Sequence, residues 1–527
     1  MIDNFRRAPR CSYAETHYKF RLPWSPLWRA RPEAIVDAPS RVLPGRVVPL
    51  FLAVHDAHLF PRRLRAVRVV VRAGGQLHKI EHDLDLRLEQ PFHFVDLPWP
   101  GPEIPGINLV DVLFELENAK GRRERFLNHD LPGLSPSSLS VTRLPGKLPA
   151  PEGWISGDLH CHTTHSEDPV EWGGDPHVMR RAAHAMGLDF FTANDHSYDF
   201  AWDHPDWMRP ADPVARFAAF RQNLSSSDGD GLPLALACEE VSCGNARGEN
   251  VHLIVCEHPE YIPGQGDGGR HWLANKPDLS ISEVLDIASR SDAPAWAAHP
   301  RAPMGWLQRK IFRRGSWQEN DLDPRLLGLQ FWNGKRGTDF VEGRGQWLRS
   351  LLKGREFLPL AGNDAHGDLN RATHVRTPLL TLGQTDAHRF GHARTWFAST
   401  ESVTTREGLK SLLASRPPVV VSDGPWLSLR APSAAHPLER SRSGVLELAA
   451  IALPGSAGLG QARVYGHRRG SDREELLASF EFDSAMSGEQ SIPCPADLAW
   501  VRAELDGKPS PLQAQEPGKA MTRAIAL

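Results

Sequence analysis

The stretch WISGDLHCHTTHSEDP, residues 154–169, decides how the chain is read. It starts as a short apolar run and turns polar at its end. His160, His162 and His165 follow one another there, with Glu167 and Asp168 just beyond. Alternate side chains of an extended strand share a face, so His160 and His162 point the same way. Two imidazoles placed like this can converge on one ion. An isolated pair is weak evidence, because surface and core histidines account for most such pairs.

The pair is not isolated. Short apolar runs recur downstream as LDFFTANDH (188–196), LPLALACEEVS (232–242), ENVHLIVCEH (249–258), APAWAAHP (293–300), LLGLQFWNG (326–334) and FLPLAGNDAH (357–366). Helical patterns such as DPHVMRRAAHAMG, SISEVLDIASRSD and GQWLRSLLKG lie between some of them. Strand–helix alternation of this kind predicts an α/β segment over residues 151–425, with a parallel sheet or a barrel. The reactive residues sit at the C-terminal ends of the runs, where α/β barrels build their sites. They are Asp195 and His196, Glu239 and Glu240, His252, His299, and Asp364 with His366. Ionisable groups in apolar stretches need a metal or one another. Mixed imidazole and carboxylate donors suit Zn, Mn or Fe(II).

The ordered set HxH, an acid, DH, E, H, AHP and DxH resembles the PHP (polymerase and histidinol phosphatase) superfamily. The lead-in GWISGDLHCHTTHS, the LQFWNG run and the later RPPVVVSDGP look like its CehA/McbA branch, which is similar to carbaryl hydrolase. The resemblance covers roughly residues 154–400. It implies a distorted (β/α)7 barrel carrying two or three divalent ions (Zn, Mn or Fe). By position it implies His160, His162 and Asp364 at a first ion, His252 and His299 at a second, and Glu240 bridging them. Glu240 is preferred to Glu239 because it precedes VS. His196 and His366 would hold a third ion with Asp168, chosen over Glu167. Asp195 is expected to orient an imidazole from behind. A metal-bound water, its pKa lowered toward ~7, would be the nucleophile. No GxSxG motif is present to supply a serine instead.

Arg301, Lys335, Arg336 and Arg371 follow the ligand positions and are expected to bind an anionic substrate. The aromatic insert YDFAWDHPDWMRPADPVARFAAF (198–220) is read as a lid, a pocket wall or packing. PGQGDGGR does not connect a strand to a helix, so it is not read as a nucleotide loop.

The remaining chain frames this core. Residues 1–150 and 426–527 are rich in short strand patterns, so a sandwich-like β-domain is expected at each end. The 527 residues imply several domains. A net charge of −3 argues against a nucleic-acid partner. The six cysteines include no CxxC pair and are expected to be free thiols. No signal-peptide pattern and no run near ~18 apolar residues appears, so a cytoplasmic protein without membrane contact is expected. The functional expectation is a metal-dependent phosphoesterase acting on a small-molecule ester or phosphate. Hydrolysis of a carbamate, carboxylic ester or amide is the alternative reading, and a non-catalytic binding protein a third. Substrate and oligomeric state are not legible in the sequence.

Overall fold

The computed structural model describes residues 11–12, 31–131, 136–149, 151–166, 172–203, 206–226, 229–266, 275–367, 369–376, 381–509 and 517–527. The described residues are mixed α/β and strand-rich, with 43% strand and 16% helix. No described helix is long and apolar enough to cross a membrane.

Seven strands carry the runs quoted above. They are β1 (Trp154–Cys161), β2 (Phe190–His196), β3 (Leu234–Gly244), β4 (Asn250–Cys256), β5 (Ala295–Ala298), β6 (Gly328–Asn333) and β7 (Leu358–Gly362). They pair in that order within one large sheet. Nearly all of their residues are buried, as expected where both faces of a sheet are covered. Adjacent residues go to different cores: Phe190 packs in one apolar cluster and Phe191 in another, as do Leu236 and Ala237.

Helix α1 (Pro176–Met186) joins β1 to β2, and α2 (Pro213–Ser225) lies between β2 and β3. α3 (Ile281–Ser289) and α4 (Thr338–Leu352) precede β5 and β7. Their starts follow from sequence. Asp175 and Asp212 accept from the first backbone N–H groups of α1 and α2, each ahead of a proline at the first helical turn. Ser280 and Glu283 form a capping box on α3.

The expected strand–helix alternation is not regular. β3 and β4 form an antiparallel hairpin with no helix between them, and β4 is also antiparallel to β5. The remaining pairs of the seven are parallel. Beyond β7 the chain bonds back to β1: Asp364 N donates to His160 O at 2.6 Å and His162 N to Ala365 O at 2.8 Å.

The same sheet continues past residue 425. β1 pairs with Arg394–Ala398, which pairs with Val419–Ser422, which pairs with Lys519–Thr522 of the C-terminal segment. There Arg502, fully buried, bonds Glu474 and Glu504, and Glu504 also takes Arg344 from α4. At the N-terminal end a four-stranded and a six-stranded sheet share one apolar core, Val36, Leu52 and Val54 meeting Val69, Val71 and Val112.

The expectation that all cysteines are free fails at one pair. Cys238 and Cys256 are directly opposed across β3 and β4 and form a disulfide. Sequence spacing hides this, because hairpin register brings together residues 18 apart. Cys161 and Cys494 carry free thiols.

Candidate metal centre

The cluster assembles at the C-terminal ends of the parallel strands, joined by Glu240 from within β3 and by His252 near the start of the antiparallel β4. In the parallel β2–β3 pair His196 stands beside Glu240. In the β3–β4 hairpin Ser242 opposes His252, two residues past Glu240, so His252 and Glu240 share a face. Asp158 fixes the end of β1. Its carboxylate accepts from His160 N at 3.1 Å, Asn363 N at 3.0 Å, Asn363 Nδ2 at 2.7 Å and Gly391 N at 2.9 Å. Gly362 makes the close approach possible: a Cβ there would lie 2.7 Å from both Cβ and N of His160.

Glu240 is the centre of the arrangement. Its Oε2 lies 3.2 Å from His160 Nε2, 3.4 Å from His162 Nε2 and 3.1 Å from His196 Nδ1. Its Oε1 lies 2.6 Å from His252 Nδ1 and 3.0 Å from His299 Nε2. Asp364 Oδ1 lies 3.1 Å from His162 Nε2 and 3.4 Å from His160 Nε2. The His366 ring stacks on His162 at 4.1 Å. His299 (φ 26°) and Asp364 (φ 53°) both adopt left-handed backbone, a conformation that clusters at functional sites.

The donor set fits divalent cations. Three groups (His160, His162, Glu240 and Asp364; His196, Glu240 and His252; His162, His196 and His366) each offer ligand atoms within 4.8 Å of one another, all on buried residues. Imidazole nitrogen mixed with carboxylate oxygen is the chemistry of Zn, Mn and Fe(II) sites.

The electrostatics show how tightly the charges are bound together. Burial opposes ionisation of His160, but Asp364 and Glu240 outweigh it and lift the imidazole to about 10. Burial lowers His162 to about 4, and His196 adds to the effect. Glu240 is held well below the ordinary carboxylate range despite burial, by His252, His160 and His196. Asp364 behaves alike, with His160 and His162 as the main opposing partners.

His160, His162, His196, Glu240, His252, His299, Asp364 and His366 are thus brought together. Glu167 and Asp168 lie outside the described residues. Glu239 is taken up elsewhere: it accepts from Ile262 N at 3.1 Å, and burial pushes its carboxyl up to about 8. Asp195 does not bond an imidazole directly. It accepts from Thr163 N at 2.9 Å and Thr163 Oγ1 at 2.7 Å, and holds the Ser166 hydroxyl. Ser166 Oγ in turn lies 3.1 Å from His162 Nδ1, so Asp195 acts one bond further back than expected.

The four expected anion-binding cations are engaged by the protein. Arg301 donates to Gln346 Oε1 at 3.0 Å, and Lys335 pairs with Asp386 at 2.6 Å. Arg336 pairs with Asp423 at 3.4 Å, and Arg371 bonds Ser137 O at 3.2 Å. A cation missed in the sequence is nearer. Arg314 Nη2 lies 2.8 Å from His252 Nε2, on a loop whose pattern carried no signal. His165 turns to Phe220 (rings 5.2 Å apart). In the insert, Phe200, Phe217 and Phe220 join the buried cluster that also contains Phe191 and Ala237, so they are packing. Also missed were Gln330, Asn333, Asp158 and Ser166. For Gln330, Asn333 and Asp158 the signal was a polar group in an otherwise apolar run; Ser166, in the polar stretch HTTHSEDP, carried none.

Comparison with protein-family models finds no match, and comparison with curated proteins finds none either.

Proposed function

We propose that the chain is a metal-dependent hydrolase of the PHP type, acting as a phosphoesterase on a small-molecule substrate. The observation that carries this reading is the convergence of six imidazoles around the carboxylates of Glu240 and Asp364. The seven strands are read as a distorted (β/α)7 barrel. Support comes from the bonds that bring the segment after β7 against β1, including the parallel bridge of Cys161 with Ala365.

Two or three ions of Zn, Mn or Fe would be held as follows: His160, His162, Glu240 and Asp364 at one position, Glu240, His252 and His299 at a second, His196 and His366 at a third. Such ions supply Lewis acidity and an acidified water at neutral pH. The chain's own part is to hold eight donors converged before any ion arrives, and to keep the site dry enough for electrostatics to act strongly.

Arg314 favours an anionic substrate. A guanidinium beside a ligand imidazole presents the donor geometry that suits a phosphate. The reading is tested by turnover of p-nitrophenyl phosphates against naphthyl esters, with Mn or Zn added. Metal-dependent release from the phosphates supports it. Release from the naphthyl esters alone would move the assignment to ester or carbamate hydrolysis. No turnover of either would reject both.

A further inference from the structure

Resting on the metal-site reading, we propose that Gln330 and Asn333 are positioning residues that select which atoms of His160 and Asp364 face the metal. Both sit on β6, three residues apart, and both are buried. Amide orientation and imidazole tautomer are ordinarily ambiguous. Here backbone groups of fixed polarity resolve them. Gln330 Oε1 faces the backbone N–H of His299 at 3.2 Å, so it is an acceptor. Gln330 Nε2 faces the backbone oxygen of Trp332 at 3.5 Å, so it is a donor.

The rest follows by necessity. His160 Nδ1 lies 3.0 Å from that same Gln330 Oε1, so Nδ1 carries the hydrogen and donates it. Nε2 is then the nitrogen left to face Glu240 and Asp364. Gln330 Nε2 also donates to Asn333 Oδ1 at 2.8 Å. That turns Asn333 Nδ2 toward Asp364 Oδ2, to which it donates at 3.1 Å. Asp364 Oδ1 is left facing His162 and His160. One strand therefore sets two ligands through a single directed chain, starting at a main-chain N–H. Imidazole ligands are commonly oriented by such an outer partner, whose loss weakens metal binding about 10–100-fold.

The test measures Zn²⁺ and Mn²⁺ dissociation constants by chelator competition, with thermal melting alongside. Gln330→Leu should weaken metal binding about 10–100-fold. Gln330→Glu, which keeps the acceptor for His160 and His299 but removes the donor to Asn333, should restore the His160 arm and so only part of the loss. A purely structural role would lower the melting temperature without that rescue. Gln330→Leu binding metal within twofold of the parent would overturn the relay and leave the metal centre standing. A parent protein that binds neither ion would overturn the metal centre itself, and the relay with it. Independently of any variant, ¹⁵N shifts of the Zn-loaded parent should show His160 protonated at Nδ1. Protonation at Nε2 would overturn the proposal.

Discussion

His196 and Glu240 are neighbours in the β2–β3 register, and His196 Nδ1 lies 3.1 Å from Glu240 Oε2. Asp195 and Glu239 are the adjacent pair one step earlier; Glu239 bonds the backbone of Ile262, and Asp195 reaches His162 only through Ser166. A shift of one residue would exchange the two roles, because strand side chains alternate. Glu240→Gln is therefore expected to lose bound metal with little change in fold, while Glu239→Gln keeps metal. Elemental analysis beside circular dichroism checks this. Metal loss in the Glu239 variant alone would place the bridge one residue earlier.

Gly362 touches His160 through its missing side chain. The Cβ of Gly362→Ala would press on His160 backbone and Cβ, both rigid. Overpacking of this kind costs about 1–3 kcal/mol. The variant should melt earlier and bind metal more weakly than the parent, since the displaced residue belongs to the proposed metal centre. Equal metal affinity would show that His160 tolerates the shift.

Arg314 places its Nη2 2.8 Å from His252 Nε2, at the edge of the cluster. If it anchors the substrate anion, Arg314→Met should lower kcat/KM for phosphate esters about 10–100-fold, the loss of one charged hydrogen bond. Metal content should be retained. Unchanged kinetics would remove Arg314 from substrate binding.

The ion-pair group joining α4 to the C-terminal strands makes a prediction in acid. Burial opposes ionisation of Glu504, but Arg502, Lys519 and Arg344 depress it to about 2 from an ordinary 4.5. A depressed carboxyl stabilises the fold above its unfolded value and loses that contribution as pH falls through its folded value. Glu504→Gln takes a buried carboxylate from Arg502, which keeps Glu474, and from Arg344 and Lys519, so the variant should melt earlier than the parent near neutral pH. The gap in melting temperature between parent and variant should narrow between pH 4.5 and 2. A gap independent of pH would contradict the charge argument.

Much of the site was legible because metal ligands must be ionisable and must sit where strands end. HxH, AHP and DxH meet both conditions at once, so the pattern reported position as well as chemistry. The fold was legible in part. The apolar runs marked all seven strands, but nothing in LPLALACEEVS or ENVHLIVCEH told a hairpin from a crossover. Direction depends on the short link at residues 245–249, and runs buried on both faces look alike in either direction. The cations are a separate case. Arg301, Lys335 and Arg336 follow ligand positions in sequence, but long side chains choose partners in three dimensions. Gln330 and Asn333 escaped because amides carry no charge to make their burial conspicuous.

Elemental analysis of the purified full chain tests the central claim most directly. The account predicts two or three equivalents of Zn, Mn or Fe per chain, falling sharply in the folded His160→Ala, His162→Ala double variant together with turnover. A folded parent chain that holds no divalent metal after incubation with Zn²⁺ and Mn²⁺ would contradict it.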